Sequence, residues 1–158
     1  MSIDNLEKKL NGELPVTREE LIKLVQSWGY IKTNYEYSYK HIENIGSCYD
    51  LSRLDVSQIT DMSHLFERSP FDGDISNWNT SNVTDMSSMF YKAYNFNQPL
   101  NFDTSKVINM SYMFYNTIKF NQAVNFNISN VTTMRRMFSY ARSFNQPINF
   151  DTSNVIDM

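Results

Sequence analysis

A segment reading Met-Ser-x-(Leu/Met)-Phe begins at Met62, Met86 and Met110, continues as Met-Arg-Arg-Met-Phe at Met134, and finds Met158 at the next place. The spacing is 24 residues each time. A period of this length marks an array of structural units that stack on one another, because ordering one short unit costs more conformational entropy than its own apolar side chains return. Other columns keep the same step: Leu54, Trp78, Phe102, Phe126 and Phe150; Ser57, Ser81, Ser105, Ser129 and Ser153; Ile59, Val83, Val107, Val131 and Val155; Phe66, Phe90, Phe114 and Phe138. Met86, Phe90, Phe102, Met110, Phe114, Phe126, Met134, Phe138 and Phe150 are therefore the expected core. Asn97-Gln98, Asn121-Gln122 and Asn145-Gln146 recur behind Phe96, Phe120 and Phe144, and stacked amides of this kind bond along an array. In the first unit Phe71 and Ile75 sit one residue early, as an edge unit often does.

Within a unit, Leu100 and Phe102 alternate with Asn101, the period of a short strand. Asp103-Thr104-Ser105 is turn chemistry. The apolar positions 107, 110, 113 and 114 have helical spacing. The expected fold is an α/β repeat: a right-handed, leucine-rich-repeat-like solenoid of 24-residue units, each a short strand plus a short helix. It would occupy residues 49–158, about four repeats and a partial fifth. Residues 1–48 lack the repeat and read as an N-terminal helical cap. Thr17 and Glu20 form a capping box, Val16 staples to Leu21, and the apolar face runs through Leu24, Val25 and Trp28 to a stop at Gly29. The Tyr-rich stretch after it (Tyr30, Tyr35, Tyr37, Tyr39) would help to cover the first open face.

Composition narrows the function. A net charge of −3 argues against a general nucleic-acid binder, which needs a broad basic face. The single cysteine, Cys48, leaves no internal disulfide and reads as a buried thiol rather than a nucleophile. No apolar run reaches the roughly 20 residues of a membrane span, and the N-terminus lacks a signal-peptide core. The chain as it stands is expected to be soluble, any export signal having been removed or never present. His41 and His64 have no Cys or His at metal-ligand spacing. The column of Asp61, Asp85 and Asp157 is interrupted by Asn109 and Thr133 and reads as polar turn residues rather than a calcium ladder. No cofactor, no metal and no enzymatic activity are expected.

What changes from unit to unit faces outward. That set includes Tyr91, Tyr94, Tyr112, Tyr115 and Tyr140, with Lys119, Arg135, Arg136 and Arg142 in the later units. Tyr and Arg are typical of protein-binding hot spots. The expected partner-binding residues are Tyr112, Tyr115, Arg135, Arg136, Tyr140 and Arg142.

The repeat resembles that of the BspA-like surface proteins and the mycoplasma lipoprotein-associated repeat family. The residues that carry the resemblance are Val83-Thr84-Asp85-Met86-Ser87-Ser88-Met89-Phe90, Ala93, Phe96-Asn97, Leu100 and Phe102-Asp103-Thr104-Ser105, within residues 50–158. The resemblance implies a variant of the leucine-rich repeat and a cell-surface or secreted setting, with adhesion to host proteins among some members, while the missing signal peptide leaves a cytoplasmic setting open. The expected function is a non-catalytic protein-binding or adhesion module. The alternatives are a structural or assembly subunit, or an accessory repeat domain of a longer protein. Because the sequence stops at Met158 partway into a unit, more repeats or self-association through that end are expected to cover Val155 and Met158.

Overall fold

The computed structural model describes residues 3–27 and 51–158. The cap begins with helix α1, Ile3–Leu10, which sequence reading did not anticipate. Its C-terminal turn closes through Gly12, whose φ of 75° suits glycine. A Cβ there would lie 2.5 Å from the Arg53 carbonyl oxygen, so the residue also permits a close backbone approach. Helix α2, Arg18–Ser27, starts at the expected capping box. The Glu20 N–H donates to Thr17 Oγ1 at 3.2 Å, and the Thr17 N–H donates to Glu20 Oε2 at 2.9 Å. Val16, Leu21, Leu24 and Val25 are buried, and Leu6 and Leu10 of α1 pack against the same core. The expected helix end at Trp28 and Gly29, the tyrosines at 30–39, His41 and Cys48 lie outside the described residues.

Pro15 pairs with Asp55 in a parallel bridge, the Val16 N–H donating to the Asp55 carbonyl at 2.9 Å. Arg18 completes the joint. Its guanidinium bonds the Asp61 carbonyl at 3.0 Å and the Ser63 carbonyl at 2.9 Å, and pairs with the Asp61 carboxylate at 3.1 Å.

From residue 51 on, the chain winds through turns that stack unit on unit. Among the described residues there are two α-helices, one short 3₁₀ turn at Leu51–Arg53, and no strand or sheet. The α/β leucine-rich-repeat-like solenoid of strand plus helix is therefore not what this chain forms. In place of the helix expected at 107–114 stand tandem β-turns. The Met113 N–H donates to Met110 O, the Tyr115 N–H to Tyr112 O, and the Thr117 N–H to Phe114 O, all three residues apart. Tyr112 (φ 59°) and Asn116 (φ 55°) occupy the third positions of the outer two turns, where a type II turn requires positive φ. The same pair recurs as His64 and Arg68, Ser88 and Lys92, Arg136 and Tyr140.

The turns win over a helix because every second N–H is taken by the next unit. Met110, Tyr112, Phe114 and Asn116 donate to the carbonyls of Thr133, Arg135, Met137 and Ser139 at 2.8–2.9 Å. A helix would satisfy those groups internally and leave nothing to join the units. The expected strand at 97–102 is absent for a related reason. No backbone hydrogen bond joins this segment to 121–126. Side-chain amides make the joint instead: the Asn121 N–H donates to Asn97 Oδ1 at 2.9 Å, and Gln122 Nε2 to the Asn97 carbonyl at 3.0 Å. The next interface repeats this with Asn145 and Gln146 on Asn121. Ladder-type pairing reduces to one isolated parallel bridge per interface: Asp61 with Asp85, Asp85 with Asn109, Asn109 with Thr133, and Thr133 with Asp157.

Two columns of phenylalanine rings fill the interior. Phe66, Phe90, Phe114 and Phe138 stack with centroids 5.3, 5.5 and 5.4 Å apart and planes within 9°. Phe71, Phe96, Phe120 and Phe144 form the second, at 6.3, 6.1 and 5.9 Å. The first unit joins this column one residue early, as its sequence offset requires. Of the expected core, Met86, Phe90, Phe102, Met110, Phe114, Phe126 and Met134 are buried, while Phe138 and Phe150 are partly buried where one neighbour covers them. Buried hydroxyls lock the stack further. Thr117 donates to the Phe90 carbonyl at 2.7 Å, and Thr80 and Thr104 donate to the carbonyls of Asp103 and Asn127 at 3.0 Å.

Candidate binding face

The tandem turns set the geometry of one long face. The tandem turns send Met110, Met113 and Phe114 to the core while Tyr112 and Tyr115 emerge. Their counterparts one unit away fall alongside, so tyrosines distant in sequence gather into one array. Tyr91 stacks on Tyr115 at 5.0 Å with planes 10° apart. Tyr112 meets Tyr91 edge-on at 6.5 Å and Tyr115 at 5.8 Å. Tyr140 stands edge-on to Tyr115 at 5.3 Å. Tyr140 is 62% exposed, and the other three are half-buried against one another. The Lys92 ammonium lies 5.2 Å from the centre of the Tyr91 ring, within cation–π range.

Of the six expected partner-binding residues, Tyr112, Tyr115 and Tyr140 are thus brought into contact. Arg135 and Arg136 are exposed and continue, one unit on, the columns of Ser111 and Tyr112. Arg142 is exposed two residues beyond Tyr140, on the column of Tyr94 and Ile118. Lys92 went unrecognised in the sequence, although its column is the one that carries Tyr140. The column of His64, Ser88, Tyr112 and Arg136 is not uniformly outward, since Ser88 is buried.

The opposite polar edge is spent on structure. Gln98 donates to Asp72 at 3.1 Å and Gln122 to Asn97, while Asn101 and Asn125 are exposed. The Asp column serves as turn chemistry: the N–H groups of Ser63 and Ser87 donate to Asp61 and Asp85 at 2.8 and 2.7 Å, and Ser111 does the same to Asn109 at 3.0 Å. Burial raises the pKa of Asp61, but hydrogen bonds from Ser63 and the charge of Arg18 outweigh it and hold the carboxyl below its ordinary range. The Ser105 hydroxyl and N–H do likewise for Asp103. In the cap, the hydrogen bond from Lys9, at 2.6 Å, holds Glu20 low. Among the described residues no group of three or more His, Cys, Asp and Glu is placed to hold a metal ion, and no helix is long and apolar enough to cross a membrane.

No curated protein and no solved structure matches the chain significantly. A protein family described as "Mycoplasma protein of unknown function, DUF285" matches residues 33–125 and again residues 99–158, two overlapping passes along the repeats. The two passes together span most of the sequence, and the chain belongs to this family.

Proposed function

We propose that this chain is a non-catalytic protein-binding module of the BspA-like, surface-adhesion type, and that its contact face is the tandem-turn face of the later units. The observation that carries the reading is the Tyr91, Tyr112, Tyr115 and Tyr140 array flanked by Arg135 and Arg136. Tyrosine offers a large, stiff contact area at small entropic cost, and arginine adds planar hydrogen bonding; both dominate protein interfaces. Four hydrogen bonds from residues 110–116 to the carbonyls of residues 133–139 hold the backbone beneath, so the face is organised before a partner arrives. The family's BspA-like repeat members supply the surface-protein context.

The test is a binding screen of the purified chain against an array of immobilised extracellular proteins. It runs beside a variant carrying Tyr112→Ser, Tyr115→Ser, Arg135→Ser and Arg136→Ser, each substitution copying a residue found in the same column of another unit. Hits that the variant loses support the reading. Hits that it keeps, or reproducible turnover abolished by a point substitution, overturn it.

A further inference from the structure

Charge is segregated along the chain. Residues 86–150 contain six cations, Lys92, Lys106, Lys119, Arg135, Arg136 and Arg142, and one carboxylate, Asp103. The rest of the chain holds eight cations and sixteen carboxylates. The acidic net charge therefore conceals a strongly basic stretch at residues 86–150. Asp103 does not neutralise it. Its carboxylate is bound to the Ser105 N–H at 2.9 Å, and Lys106 is its cationic neighbour, with its ammonium bound to Asn82 at 2.7 Å.

That leaves Lys92, Lys119, Arg135, Arg136 and Arg142. Among the described residues none of the five takes part in an ion pair, whereas, of the Lys and Arg side chains described outside residues 86–150, Lys8, Lys9, Arg18 and Arg68 each have a carboxylate and Lys23 and Arg53 do not. Two of the five, Lys92 and Arg136, occupy positive-φ positions, at 56° and 51°. None of the eight positive-φ turn positions in the four units is glycine, although glycine fits that backbone best. Arg136 is exposed and Lys92 half-buried over the Tyr91 ring, and long side chains kept at such positions without an ion partner point to use by a ligand.

We infer that this face takes an acidic polypeptide segment, its carboxylates meeting Lys92, Arg135 and Arg136 and its apolar or aromatic residues resting on the tyrosine array. The inference rests on the binding-face reading above and adds the chemistry of the partner. A polypeptide fits because cations and aromatic rings are interleaved at a spacing of about one unit, which suits a ligand of mixed character. A long, uniform polyanion needs a continuous basic track, and this one is interrupted by tyrosines and preceded by the carboxylate-rich first unit and cap.

The test is selection of a random 12-residue peptide display library on the full chain, followed by fluorescence anisotropy of the enriched peptides. The comparison proteins carry Lys92→Asn, Arg135→Ser and Arg136→Ser together, or Tyr112→Ser with Tyr115→Ser. The expected peptides are net negative with at least one aromatic residue. They weaken at least tenfold on either variant, and weaken again when their own Glu residues become Gln, a change that leaves the protein untouched. Peptides that are neutral or basic, yet lost on the tyrosine variant, would overturn the acidic-segment inference while the binding face stands. Peptides unaffected by either variant would overturn both. Heparin or a 20-nucleotide single strand binding more tightly than the peptides, and lost on the triple-charge variant, would assign the face to a polyanion instead.

Discussion

Replacing Phe114 by alanine is the most direct probe of how the units hold together. The side chain is fully buried and touches four rings: Phe90 and Phe138 in its own column, at 5.5 and 5.4 Å, and Phe120 and Phe126, at 4.2 and 6.4 Å. Truncating a core phenylalanine costs about 3–5 kcal/mol, with the larger losses where the surroundings cannot close into the void. Here they cannot. The N–H groups of Phe90 and Phe114 are pinned to the carbonyls of Met113 and Met137 at 2.9 Å, so the neighbouring rings stay one unit spacing apart. The loss should thus fall in the upper part of that range, about 4–5 kcal/mol. Phe138→Ala, at a partly buried ring, should cost about 1–3 kcal/mol. Stability in a stacked array is carried by nearest-neighbour interfaces, so Phe114→Ala should also uncouple its two halves. In urea titrations on a Trp28→Phe background, Trp78 is the one remaining indole, buried in the first unit with its N–H on the Leu51 carbonyl at 2.7 Å. The near-ultraviolet tyrosine signal of the later units should be lost before the Trp78 fluorescence. A loss below about 1 kcal/mol would mean that Phe114 does not sit inside the ring column. Coincident transitions would refute the uncoupling.

Three further outcomes follow from particular contacts. Arg136→Gly should stabilise by about 0.5 kcal/mol, relief of left-handed strain being partly offset by the freer unfolded chain, whereas β-branched Arg136→Val should cost more than about 1 kcal/mol; equal urea midpoints for the two variants would contradict the positive φ. Thr117→Val keeps the shape and removes the hydroxyl that serves the Phe90 carbonyl, and should cost about 1–2 kcal/mol in chemical denaturation, no change being the adverse result. Glu20 and Asp61 are held below their ordinary values of 4.5 and 3.8, so the stability they contribute is fully present above those values and is lost as pH falls through the lower, folded ones. Urea midpoints should drop from pH 6 to pH 3, and Glu20→Gln with Asp61→Asn should shrink the drop; an undiminished drop would locate the acid sensitivity elsewhere.

The primary structure by itself determined the period, the columns and the cap helix. A strict 24-residue recurrence of Met, Phe and β-branched residues has one physical use, the stacking of like units, and the Thr17 and Glu20 box needs only residues three apart. It also marked which tyrosines and arginines change between units. What it did not determine was the backbone path inside a unit. Apolar residues at 107, 110, 113 and 114 suit one face of a helix and suit equally a pair of turns that sends Met110, Met113 and Phe114 inward. The choice is made by hydrogen bonds to Thr133, Arg135, Met137 and Ser139, some 23 residues away. Local periodicity does not register bonds at that distance, and such bonds exist only once the units are stacked. The same holds at 97–102, where alternation suggested a strand and the amide of Asn97, bonded to the N–H of Asn121, took the place of a ladder. It holds again for the binding face, since Tyr91 and Tyr115 become neighbours only when one unit rests on the next.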